Sequence, residues 1–87
     1  MRVTLVSPEG SLFDGDATSL VAPAFDGLVG VLPRHAPFLT LLGTGVLRIT
    51  HDGTTSRFTV TEGGGLLQVV GDGVLVVAER VHVAPES

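Results

Sequence analysis

The sequence predicts an all-β protein: a small antiparallel β-sandwich or flattened barrel of about ten short strands. Three observations carry this. Short runs rich in Val, Leu, Ile and Thr recur at roughly the eight-to-twelve-residue spacing of all-β chains, broken by Gly, Pro and Asp. Turn signals such as Asp26-Gly27 and Asp52-Gly53 sit between apolar runs, where hairpins need them. No stretch holds the apolar period of an amphipathic helix. At 87 residues the chain is one domain. Residues 1–80 are assigned to the sandwich and residues 81–87 to a C-terminal tail.

The elements follow in order. Residues 2–6 form a strand ended by Ser7-Pro8-Glu9-Gly10, a turn tetrad with Pro suited to its second position. Residues 11–14 are a short extended piece, and Asp14-Gly15-Asp16 turns the chain. Residues 17–22 form a strand whose pairing Pro23 stops. Asp26-Gly27 then opens the most constrained run, Gly27-Leu28-Val29-Gly30-Val31-Leu32-Pro33-Arg34-His35-Ala36-Pro37. Pro33 and Pro37 fix φ and remove two backbone donors, and each biases the residue before it toward extended backbone. A short apolar strand thus ends in a rigid corner bearing one cation and one imidazole. That corner is the candidate working surface.

Residues 38–42 are apolar enough to be buried on both sides, and so short a run fits a strand or a helical turn. Gly43-Thr44-Gly45 turns the chain. Residues 46–51 alternate, with Leu47 and Ile49 on one face and Arg48 and Thr50 on the other. The return strand, residues 57–61, sets Phe58 and Val60 inward and Arg57, Thr59 and Thr61 outward. Glu62-Gly63-Gly64-Gly65 is a flexible turn or bulge. Gly71-Asp72-Gly73 joins residues 66–70 to residues 74–78 in a further hairpin. The last strand is apolar on both faces, so it is buried on both sides or faces a partner on one. From residue 79 no pattern continues.

Composition narrows the function. Hydrophobic residues are 44% and charged residues 16%, against a usual charged share of about 25%. A domain this small and this poor in charge is expected to dock apolar surface on a larger partner. The net charge of -4, with arginines as its only cations beside three histidines, excludes the basic patch that nucleic acid requires. The attraction of a polybasic segment to anionic lipid is absent too. The N-terminus has no signal-peptide core, and no run approaches the roughly 20 apolar residues that span a bilayer.

Chemistry is sparse. The absence of lysine excludes a P-loop and Schiff-base catalysis, and the absence of cysteine excludes a thiolate metal site. His35, His51 and His82 fall on three elements at no metal-ligand spacing. For His35 to act as a general base, Asp16 or Asp26 would have to orient it. The simpler reading is an imidazole that hydrogen-bonds and shapes its turn. No catalytic residue, metal or cofactor is expected. A small ligand-binding β-sandwich is the alternative from another class; without Trp or Tyr it lacks the aromatic platforms such modules use.

Three runs together resemble the epsilon subunit of F-type ATP synthases, in its N-terminal β-sandwich. They are Ser7-Pro8-Glu9-Gly10 with Leu12-Phe13 and Gly15; Gly27 with Gly30-Val31-Leu32-Pro33 and His35-Ala36-Pro37; and Gly63-Gly64-Gly65-Leu66-Leu67-Gln68-Val69 followed by residues 74–79. The resemblance implies a non-catalytic central-stalk subunit that couples rotation of the proton-driven ring to the catalytic core. It implies contacts with the gamma subunit and with the membrane ring of c subunits, at the cytoplasmic face of a bacterial plasma membrane and without insertion into the bilayer. Ring contacts map onto Ser7, Asp26, Gly27, Leu28, Val29, Gly30, Val31, Leu32, Pro33, Arg34 and His35. Val74, Val76 and Ala78 are candidates for packing on gamma, with the core as the equal alternative. Three positions depart from the family pattern: Leu28 stands where an acidic or polar residue is common, Arg34 where glycine is usual, and Thr44 where proline is common. Family members usually continue into an inhibitory helical hairpin. This chain stops at Ser87, so helix-based autoinhibition is not expected of it.

Overall fold

The structure, a computed structural model, describes residues 1–84; the end of the expected tail, residues 85–87, lies outside the described residues. Eight strands follow one another: β1 Arg2–Ser7, β2 Gly10–Asp16, β3 Ser19–Ala24, β4 Gly27–Val31, β5 Phe38–Leu41, β6 Gly45–His51, β7 Thr54–Val70 and β8 Gly73–Val83. No helix occurs among the described residues. The strands pair in the order β2-β1-β8-β7-β6-β3-β4, with β5 added beside β7.

Two long strands make this single sheet a sandwich. β7 has 17 residues and β8 has 11, well beyond the usual strand of about 5–6. The first half of β7 pairs with β6, from His51↔Thr54 to Gly45↔Val60. Its second half pairs with β5, from Leu41↔Leu66 to Phe38↔Val69. β8 follows the same course in reverse, pairing Gly73 to Ala78 with the second half of β7 and Arg80 to Val83 with the first. The register slips between Val60 and Glu62 and again between Glu62 and Gly65. Those slips are β-bulges, which bend a strand and increase its twist. The sheet therefore folds back on itself. One layer holds β2, β1, the start of β8, the end of β7, and β5. The other holds the end of β8, the start of β7, β6, β3 and β4.

The all-β expectation and the sandwich hold, and several details differ. Pro23 does not stop the pairing of its strand: β3 runs on to Ala24, with Pro23 opposite Leu28. Eight strands replace about ten because β7 and β8 each serve both layers. β1 pairs with β8 in parallel, from Arg2↔Gly73 to Val6↔Val77, where only antiparallel neighbours were expected. Asp14-Gly15-Asp16 is strand, held by Arg2↔Asp16 and Val3↔Gly15. β8 continues to Val83, so residues 81–83 of the expected tail are strand, with Val83 against Phe58.

One core lies between the layers. Val3, Leu5, Leu67, Val69, Val74 and Val76 reach it from one side; Leu20, Ala22, Val31, Leu47, Ile49, Phe58 and Val60 reach it from the other. Leu47, Ile49, Phe58 and Val60 point inward, as their alternation predicts. Phe58 is the one fully enclosed aromatic ring, at 4% exposure. Phe58→Ala should lower the unfolding free energy by roughly 3–5 kcal/mol, read from the urea midpoint.

Candidate docking surfaces

β4 ends the strand order, so one of its backbone edges is unpaired. Its side chains alternate against β3. Val29 and Val31 face Ala22 and Leu20, while Leu28 and Gly30 face outward beside Pro23 and Val21. Leu28 is 71% exposed and Val31 only 1%. Val31, expected among the ring contacts, is therefore core; Leu28 presents an apolar side chain to solvent.

The corner after β4 is a tight turn. The His35 N–H donates to the Leu32 carbonyl at 3.2 Å. Pro33 takes the second position and Arg34 the third, with φ at +68°. Proline followed by a positive φ is the type II pattern, and its third position favours glycine. Arg34 holds that geometry with a Cβ, at a cost of about 1 kcal/mol. Arg34→Gly should raise the unfolding free energy by up to about 1 kcal/mol, seen as a higher melting temperature. Among the described residues Arg34 has no ion pair. His35 bends over the same turn: its Nδ1–H donates to the Ala36 carbonyl at 2.7 Å, and its ring packs 4.8 Å from that of Phe38. Asp16 interacts instead with the Met1 amine, at 3.8 Å. His35 shapes the corner.

The register separates these residues along the edge. The Phe25-Asp26 turn lies at the Leu41 end, where the Phe25 N–H donates to the Leu41 carbonyl at 3.2 Å. The row Leu41, Leu66, Val77 and Val6 runs from there to the end of β1, so Ser7 shares that end. The Leu32–His35 turn lies at the far end of β4, four strand rises or about 13 Å away. Ser7 and Asp26 thus share one end of the sandwich, and Arg34 and His35 lie toward the other.

The second surface was only partly visible in the sequence. Val74, Val76 and Ala78, candidates for packing on gamma with the core as the equal alternative, are 3%, 0% and 0% exposed and fill the core. The alternation of β8 turns Leu75 and Val77 outward in their place. Residues 38–42 were expected to be buried on both sides, yet β5 is an edge strand and exposes Leu39 and Leu41. The outer face of this layer carries two cross-strand rows. Leu41, Leu66, Val77 and Val6 form one; Leu39, Gln68, Leu75 and Thr4 form the next. Val70 adds to its apolar character, and a shallow hollow of about 340 Å³ opens between Arg2, Thr4, Gln68, Val70 and Leu75. Phe25, 68% exposed, stands beside Leu41 at the rim. A contiguous apolar patch of this kind marks an interaction site.

The other titratable groups lie apart. His51 Nε2 is 2.8 Å from the Ser56 Oγ, and its ring meets Phe13 edge-on at 5.1 Å. Among the described residues no three His, Asp or Glu side chains gather where a metal ion would sit. The site residues consist of surfaces: one apolar sheet face, and one edge with a rigid corner.

The protein is thus a small two-layer β-sandwich with an open strand edge at β4 and one apolar outer face. The chain belongs to the ATP synthase delta/epsilon chain family, whose β-sandwich domain matches residues 1–84. It is 46% identical over 79 residues to the ATP synthase epsilon chain of Halorhodospira halophila, covering 91% of this chain and 56% of that one. It is 40% identical over 85 residues to the epsilon chain of Pelotomaculum thermopropionicum, covering 98% and 62%. The chain thus spans less than two thirds of the length of these curated relatives. Its fold matches a chain in the mitochondrial ATP synthase central stalk and c-ring structure of Tetrahymena thermophila. There the TM-score is 0.79 at 19% identity, over 95% of this chain and 66% of that one. A chain of the Euglena gracilis mitochondrial ATP synthase, in an OSCP/F1/c-ring structure, matches with a TM-score of 0.83 at 18% identity, over 93% and 51%.

Proposed function

We propose that the chain is a non-catalytic coupling subunit of a rotary ATP synthase, docking on the gamma subunit through the outer face of the β5-β7-β8-β1 layer. The observation that carries this reading is the pair of apolar rows through Leu39, Leu41, Leu66, Leu75 and Val77, left exposed on a domain with few charges. Burying apolar surface of this kind is what favours a lasting assembly. The β4 edge and its corner are assigned to the membrane ring of c subunits, through Asp26, Gly27, Leu28, Gly30, Leu32, Pro33, Arg34 and His35, with Ser7 at the Asp26 end. Val29, half-buried beside Ala22, supports that edge from inside. Both surfaces transmit force without chemistry, so rigidity is their main requirement, and the Pro33 turn and the paired strands supply it. Family membership and the ATP synthase assemblies of the solved neighbours support the reading.

In this reading the subunit sits peripherally on the cytoplasmic face of a bacterial plasma membrane. Among the described residues no helix is long and apolar enough to cross a membrane. Leu28→Asp tests the ring assignment. The variant should fold with a melting temperature within a few degrees of the parent, because Leu28 already faces water. In membranes carrying the assembled enzyme it should lower ATP-driven proton pumping several-fold while the chain stays bound through gamma. Unchanged pumping would remove the β4 edge from the coupling path.

A further inference from the structure

We propose that the outer face of the β6-β7 region, centred on Arg48 and Arg57, docks an acidic helix of a partner protein. The two arginines are direct cross-strand partners. His51↔Thr54 closes the tight β6-β7 turn and exchanges hydrogen bonds across it. Alternating back from it, Arg48 and Arg57 form a non-hydrogen-bonded pair, the kind whose side chains stand closest. Thr50 and Thr55 belong to the same class, and their hydroxyls meet at 3.2 Å. The buried Leu47, Ile49 and Phe58 face the core, so both arginines point away from it.

Like charges in this arrangement repel. Among the described residues neither guanidinium has a carboxylate partner, although the chain carries a net charge of -4. Acidic partners are used elsewhere: Arg2 pairs with Asp14 at 2.8 Å and Arg80 with Glu62 at 3.2 Å. On the β3 side the neighbours are uncharged, with Val21 beside Arg48 and Gly30 beyond it. Threonines flank the pair, and on the β8 side His82, opposite Thr59, shares the face.

Two forked cations side by side fit two carboxylates. Directly opposed residues on strands have Cβ atoms about 4.5–5.5 Å apart, and residues four apart on a helix about 5–6 Å. An i,i+4 pair of Asp or Glu is itself strained by like charge. Docking relieves both repulsions and forms charge-assisted bidentate hydrogen bonds. A lipid surface fits less well. Each cation near an anionic leaflet contributes only about 1 kcal/mol, and the rest of this acidic chain is repelled. The cross-strand row runs on through Val21 to Gly30, so the face adjoins the β4 edge assigned to the ring. Binding read at the two arginines in the free chain is nonetheless independent of the ring and gamma assignments.

The test uses the whole chain and arginine Nε–H NMR signals. The probes are an alanine-rich helical peptide with Glu pairs at i,i+4, a peptide of the same composition with other spacing, and phosphatidylcholine/phosphatidylglycerol vesicles. The Arg48 and Arg57 signals should move together with the first peptide while those of Arg2 and Arg80 stay. The Arg48→Gln, Arg57→Gln double variant should bind at least tenfold more weakly, with an unchanged fold. Arg48→Gln alone should raise the melting temperature of the free chain by relieving the repulsion. Equal binding of both peptides, undiminished binding by the double variant, or shifts induced only by vesicles would overturn the proposal. So would movement of the Arg57 signal in a Glu86→Gln variant of the free chain, since the chain would then supply its own counter-ion.

Discussion

Gly65→Ala should unfold the domain or bring it close to unfolding. Gly65 sits at the second register slip of β7 with φ at +141°, a region closed to L side chains. A Cβ there would lie 2.2 Å from the Val77 carbonyl oxygen and 3.2 Å from the Ala78 Cα. Both obstacles are backbone of the paired strand, which also pairs with β1, so neither can move aside alone. The expected loss is about 4 kcal/mol or more, the range reserved for severe lesions. A domain of this length holds on the order of 4–13 kcal/mol in total. Gly53 provides the control, since it also has a positive φ, at +73°, but no atom within 4 Å of its added Cβ. Gly53→Ala should cost only about 1 kcal/mol. Urea denaturation followed by circular dichroism compares the two. Equal midpoints would mean that β7 does not bend as described.

The double variant Leu39→Asp, Val77→Asp should leave the free domain folded and abolish its assembly with gamma. Both side chains face solvent in the free chain, so the change in stability should stay within about 1 kcal/mol. Docking would force two carboxylates into an apolar contact. At about 2–3 kcal/mol each, that weakens binding by more than a hundredfold. Val76→Asp is the contrasting case: Val76 is fully buried, and a charge there should destroy the fold itself. The contrast turns on one position in the strand, because neighbouring residues of β8 face opposite ways.

That same position marks how much the sequence could show. The all-β class, the Asp52-Gly53 hairpin and the inward facing of Phe58 and Val60 were legible, because local turn chemistry and period-two alternation encode them. Residues 74–78 were apolar throughout, so periodicity carried no signal, and the choice of Val74, Val76 and Ala78 fell on the core face. The parallel pairing of β1 with β8 joins distant segments and leaves no local mark. Leu39 and Leu41 are exposed because they turn to the uncovered outer face of their layer, at its edge, a property of topology. The Pro33 corner was legible from composition. What the structure adds there is the reason Arg34 is unusual: it occupies a glycine position at φ +68°.

The most direct test of the account uses the absence of cysteine from the chain. Single cysteines placed at Leu39, Leu75 and Val77, with Asp52→Cys as a control on the β6-β7 hairpin tip, report access to a maleimide. In the free chain all four should label readily. In the assembled ATP synthase, Leu39→Cys, Leu75→Cys and Val77→Cys should be shielded at least tenfold while Asp52→Cys stays reactive. Undiminished labelling of all three in the assembled enzyme would contradict docking through the apolar face.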